Sequence, residues 1–106
     1  MLRKMPSRGE VWLVDLGLAA KTRPALILNV PSGESDRVVV SVVPHTTSLR
    51  NSPFEVIVPV SFLREGAFAT QSIVTIPAKH ALRRLGNLHP QQLALVEQGV
   101  RRWLGL

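Results

Sequence analysis

The chain has 106 residues, 45% of them apolar, which is enough for one compact domain and too few for two. Thirteen Lys and Arg against seven Asp and Glu leave a formal charge of +6, a surplus that attracts phosphates or an acidic polypeptide where it is not there for solubility alone. The lack of cysteine excludes a disulfide framework and a thiolate metal site, and His45, His80 and His89 have neither paired-ligand spacing nor an adjoining carboxylate cluster, so no metal or cofactor is expected.

The opening "MLRKMPSRGE" is basic but is not followed by an apolar run of signal-peptide length, and no stretch is long enough to span a bilayer. The protein is therefore expected to be cytoplasmic and away from membranes. Met1 and Met5 both stand as starts, with residues 1–7 expected to be a loose basic arm on a single domain covering 1–106.

From residue 9 the pattern is β. "GEVWLVDL" (9–16) alternates Val11, Leu13 and Asp15 with Trp12, Val14 and Leu16. "RPALILNV" (23–30) is a short apolar run closed by the turn chemistry of "PSGESD". "RVVVSVV" (37–43) is the strongest strand signal, ended by Pro44, and "FEVIV" (54–58) follows, with Glu55 and Ile57 opposed to Phe54, Val56 and Val58. "AFATQSIVTIP" (67–77) reads as one long strand or two broken ones. Short strands joined by Gly and Pro turns point to a small antiparallel barrel or half-barrel.

Helical signals come last. "AKHALRRLGN" (78–87) is expected to form about two helical turns stopped by Gly86. In "LHPQQLALVEQGVRRWLGL", Pro90 suits the first helical position, Gln92 a capping box and Leu88 a staple onto Leu93. Leu93, Val96, Val100, Trp103 and Leu104 form one apolar face, which should pack on the open side of the sheet.

Two segments carry candidate chemistry. In "KTRP", Pro24 fixes its own φ and biases Arg23 towards an extended conformation at a strand mouth, with Asp15 and Glu10 as possible ion-pair partners. In "PHTTS", Thr46, Thr47 and Ser48 offer hydroxyls, and His45 offers the one side chain there that titrates near neutrality. No Ser-His-Asp or nucleophile-elbow context surrounds them, so acyl transfer is not supported.

Taken in order, "RGEVWLVDL", "KTRPALIL", "VVVSVVPHTTS", "PFEV", "ATQSIVTIP" and "RLGNLHPQQLALVEQGV" resemble the MazF/PemK family of toxin endoribonucleases from about Ser7 to Leu104. "RGEVWLV" and "TRPALI" at this separation are similar to the family's opening signature. The resemblance implies an SH3-like barrel with a C-terminal helix, dimerised so that an RNA groove forms at the interface. It implies metal-independent cleavage of single-stranded RNA (mRNA) at short sequences, by 2′-hydroxyl attack that leaves a cyclic phosphate and a 5′-hydroxyl. It also implies a MazE-like antitoxin with an acidic, flexible tail, and operator DNA contacted through the toxin–antitoxin complex.

Carried over position by position, the resemblance makes Arg23 and Thr46 the catalytic pair. A guanidinium fork matches two equatorial oxygens of a phosphorane, and a hydroxyl donates one more hydrogen bond. Gln71, Thr47, Ser48, Arg50 and His45 are the expected RNA contacts, with Phe68 or Trp12 as stacking candidates. The chain departs from some relatives in having Phe68, Ala69 and Thr70 where an Arg and an Asp precede the glutamine, and in a shorter loop between Leu16 and Lys21. The general base is thereby left unassigned. His45 qualifies by pKa, but adjacent strand residues point to opposite faces, so packing or RNA contact is the reading adopted for it. A second class of function, DNA gyrase inhibition as in CcdB-like toxins of the same fold, is suggested by the terminal "WLGL", although Leu104 is inserted and Trp103 continues the helix stripe.

Overall fold

The computed structural model describes residues 5–17 and 21–106. Its strands are β1 (Glu10–Asp15), β2 (Thr22–Ile27), β3 (Val39–Thr46), β4 (Glu55–Val56), β5 (Ala67–Ala69), β6 (Val74–Pro77) and β7 (Ala81–Asn87), followed by the helix α1 (Pro90–Leu104). Among the described residues the strands form one antiparallel sheet in the order β4-β5-β3-β2-β1-β7, with β6 also paired to β3. β4 and β7 do not pair with each other, so the barrel is open. Of the arm expected over residues 1–7, positions 1–4 lie outside the described residues; Pro6 is buried, and the Ser7 N–H donates to Glu10 Oε1 at 2.8 Å.

The apolar runs of β1 to β3 follow from burial on both faces. One face places Val11, Leu26 and Val43 beneath Val96 and Val100 of α1, as the helix stripe predicts. The other gathers Trp12, Val14, Ala25, Ile27, Val40 and Val42 with Ala78 and Ala81. Each fully buried Val or Leu contributes roughly 1.5–3 kcal/mol. The start of α1 is built as its sequence indicates: the His89 N–H donates to Gln92 Oε1 at 2.8 Å, Pro90 is the first helical residue, and Leu88 and Leu93 join the same core.

Three sequence expectations are corrected. Residues 78–87 are not helical: a 3-10 turn (Ala78–His80) leads into β7, which pairs Ala81 with Val14 and Arg84 with Trp12. Ten residues form a marginal helix, whereas as a strand they cover the outer edge of β1. Gly86 consequently sits inside β7, where a Cβ would lie 2.6 Å from the Phe62 ring. "FEVIV" shrinks to Glu55–Val56, and just before it the Phe54 carbonyl accepts from both the N–H and the hydroxyl of Thr70, at 3.0 and 2.6 Å. Finally, Pro44 does not end β3. It pairs with Ala25 of β2 at the point where the other side of β3 passes from β6 (Val42↔Val74) to β5 (His45↔Phe68), a gap in which a missing N–H costs little. "AFATQSIVTIP" is indeed two strands, broken by a 3-10 turn at Thr70–Ser72.

Candidate functional site

Continuing β3 through Pro44 decides where the polar run points. Side chains alternate along a strand. Pro44 and Thr46 face a cleft of about 540 Å³, while Val43 and His45 face the core. The β2–β3 register is Ile27↔Val42, Leu26↔Val43 and Ala25↔Pro44, and carrying it two residues further brings Arg23 level with Thr46. Both side chains line the cleft.

The Thr46 hydroxyl is oriented by its own turn, since Oγ1 accepts the Ser48 N–H at 3.0 Å. That bond uses a lone pair, and the hydroxyl proton makes only a long contact, 3.5 Å, to the Ser48 carbonyl, at the outer limit of a hydrogen bond. Behind Thr46, the chain entering β5 comes so close that a Cβ on Gly66 would lie 2.1 Å from the Thr46 carbonyl oxygen and 2.8 Å from His45 Cε1.

Of the residues expected to contact substrate, Ser48, Arg50 and Gln71 join Arg23 and Thr46 in the cleft wall. Thr47 is exposed but is not part of that wall. His45 is 5% exposed, directly opposite Phe68 in the ladder, with the two rings edge to face at 5.0 Å. Burial there pushes its pKa below the ordinary 6.5. The imidazole is thus neutral at pH 7 and turned away from the cleft. The stacking candidates Phe68 and Trp12 are buried as well, at 0% and 5% exposure. The aromatic at the cleft is Phe54, whose ring meets Trp103 edge to face at 5.1 Å, while Arg102 Nη1 donates to the Pro53 carbonyl at 3.1 Å. The terminal "WLGL" therefore includes a tryptophan that braces the cleft wall.

Sequence reasoning missed Glu55. It pairs with Ala69 across β4 and β5, and both line the cleft, whereas Val56 points at α1 against Gly99. Its carboxylate accepts the Arg50 N–H on both oxygens at 3.0 Å and the Ser52 N–H on Oε1 at 3.1 Å. The turn between them passes through Asn51 at φ +57°, in the left-handed region that Asn tolerates. The available signal was a charged residue opposed to apolar ones in "FEVIV". Glu10, suggested as a partner for Arg23, accepts from Trp12 Nε1 at 3.0 Å and from Arg84 Nε at 3.1 Å. The Asp15 carboxylate takes the Gly17 N–H at 2.9 Å. The loop expected to be short between Leu16 and Lys21 includes residues 18–20, which lie outside the described residues. Among the described residues, no three His, Asp or Glu side chains come together as a metal site.

The cleft thus presents two guanidinium groups, oriented hydroxyls and an amide, a donor set suited to phosphate oxygens and unpaired bases. The sheet order with one C-terminal helix is shared with solved structures. The MazF of Deinococcus radiodurans (Form-I) superposes with a TM-score of 0.81 at 23% identity, covering 98% of this chain and 100% of that one, a likeness of fold. An endoribonuclease in complex with its cognate antitoxin from a mycobacterial species is similar at 27% identity and TM-score 0.80, over 95% of this chain and 96% of that one. The Mycobacterium tuberculosis toxin MazF-mt6 is similar at 26% identity and TM-score 0.76, over 92% and 97%. The model of the PemK-like, MazF-like toxins of type II toxin–antitoxin systems matches residues 7–104. The chain belongs to that family.

Proposed function

We propose that the protein is a sequence-specific, metal-independent endoribonuclease toxin that cleaves single-stranded RNA. The observation that supports this reading is that Arg23 and Thr46 line one cleft, where the β2–β3 register extended past Ala25↔Pro44 brings them level. The 2′-hydroxyl of the nucleotide at the cut attacks the adjacent phosphorus and expels the 5′-oxygen of the next, giving a cyclic phosphate and a 5′-hydroxyl. Negative charge grows on the two non-bridging equatorial oxygens; the Arg23 fork meets both, and the Thr46 hydroxyl donates one more hydrogen bond to one of them. Arg23 acts by charge and geometry, since a guanidinium keeps its proton in ordinary surroundings.

The surplus of +6 suits both RNA and an acidic antitoxin tail lying along the same cleft. The working form is a homodimer in the cytoplasm, and operator DNA is contacted only through the antitoxin complex. The test is to incubate the purified protein with a long unstructured RNA in EDTA and map the ends. Discrete cuts with cyclic phosphate, abolished by the acidic product of the neighbouring gene, are expected; intact RNA would overturn the reading, and gyrase arrest alongside it would select the inhibitor.

A further inference from the structure

Glu55 puts a negative charge into a cleft otherwise lined by the cations Arg23 and Arg50, in a chain of net charge +6. For holding phosphates this is the wrong sign, and it costs affinity for any polyanion. Nor is its position incidental. The register with Ala69 turns the carboxylate to the cleft side, and the N–H groups of Arg50 and Ser52 hold it in one orientation. An ionised carboxylate has about four acceptor sites and no donor. Oε1 takes the Ser52 N–H and shares that of Arg50 with Oε2, which leaves Oε2 room to accept from a ligand.

We infer that Glu55 is a specificity-determining residue: it selects, at one nucleotide of the bound RNA, a base with an amino group on its Watson–Crick edge over uracil. Guanine, adenine and cytosine each offer an exocyclic N–H there, and guanine adds a ring N–H that would match both carboxylate oxygens. Uracil turns two carbonyl oxygens and a single N–H to the same edge, so its acceptors meet the carboxylate's lone pairs. Unpaired bases in single-stranded RNA expose this edge. A pocket built to pair a donor rejects the analogue lacking it more sharply than any apolar pocket rejects a wrong shape.

The inference rests on the RNA-cleaving reading above, and the experiment separates the two. A randomised RNA pool is cut by the parent, Glu55→Gln and Glu55→Ala, and the sequences at the ends are compared. The parent should show one position depleted of uracil, and Glu55→Gln should still cut while admitting uracil there at least about tenfold more readily. As a check that leaves the protein unaltered, replacing guanosine by inosine, or adenosine by purine riboside, at that position should lower kcat/KM for the parent about tenfold and hardly affect Glu55→Gln. A carboxylate that only held the Arg50–Ser52 turn would, when replaced, slow every sequence alike. Unchanged preference in Glu55→Gln, or a parent with no position depleted of uracil, overturns the inference while the nuclease stands. A parent that cuts no RNA overturns both.

Discussion

Arg23 and Thr46 share a face of adjacent antiparallel strands, each two residues beyond the Ala25–Pro44 pair. The ladder that ends at Ala25↔Pro44 fixes side and spacing with little freedom, so the backbone preorganises the pair. Arg23→Ala and Arg23→Lys are each expected to lower kcat on RNA by about 10²–10³, the usual loss when one preorganised donor to a developing oxyanion is removed. Lysine keeps the charge and loses the fork. Single-turnover cleavage of a fixed oligonucleotide measures this, and parental rates in Arg23→Lys would remove Arg23 from its role.

Thr46→Ser keeps an oxygen that can accept the Ser48 N–H and still donate, whereas Thr46→Val keeps the shape and loses both. Near-parental cleavage is expected for Ser and at least about a tenfold loss for Val. Equal rates in the two variants would show that the hydroxyl contributes nothing.

Gly66 is the point of closest approach behind the site. A methyl group added there meets the Thr46 carbonyl oxygen and the His45 ring, neither of which is the loose end of a flexible side chain. Gly66→Ala should destabilise the fold by roughly 1–3 kcal/mol and depress cleavage beyond what unfolding explains, because it displaces the backbone of Thr46. Thermal melting and activity measured on the same preparation separate the two losses.

His45 gives the stability of the protein a pH dependence of known sign. Its pKa is lower folded than unfolded, so below about 6.5 the unfolded chain binds the extra proton first. The contribution is complete above the unfolded value and is lost as pH falls through the folded one. Tm should therefore decline from pH 6.5 downwards, and His45→Phe, which suits the contact with Phe68, should flatten that decline. An identical slope in the variant would assign the acid loss elsewhere.

Gly99 lets α1 lie against the cleft wall: a Cβ would sit 2.6 Å from Val56 Cγ2 and 2.9 Å from Thr70 Cγ2, and Thr70 holds the Phe54 carbonyl. Gly99→Ala gains helix propensity worth about 1 kcal/mol and meets a larger clash. A lower Tm is expected, together with weaker RNA cleavage as the Phe54 segment shifts.

The sequence was most legible where one periodicity prevailed. The strands β1 to β3, the stripe of α1 and its capping residues can all be read from apolar spacing and the Pro90–Gln92 pattern. Residues 78–87 misled because their Leu and Arg content favours a helix in isolation, while the vacant edge of β1 settles the matter through a partner distant in sequence. Pro44 misled for a related reason: its cost in a strand depends on what lies beside it, and there two ladders meet. In the cleft wall, Arg23 and Thr46 stand together, as the family resemblance implies. Alternation pointed His45 away from Thr46, and its packing on Phe68 agrees, whereas its part in contacting RNA and the cleft-facing Glu55 were not legible, since strand parity was open until Pro44 was placed inside β3.

Parity also makes β3 a self-checking element. A slip of one residue against β2 would put Thr46 into the apolar interior and swing the His45 imidazole out among the arginines. The same slip would turn Val42 and Val43 to each other's faces, so the wrong pairing loses packing and chemistry together. A misassembled chain is thus inactive for the same reason that it is unstable.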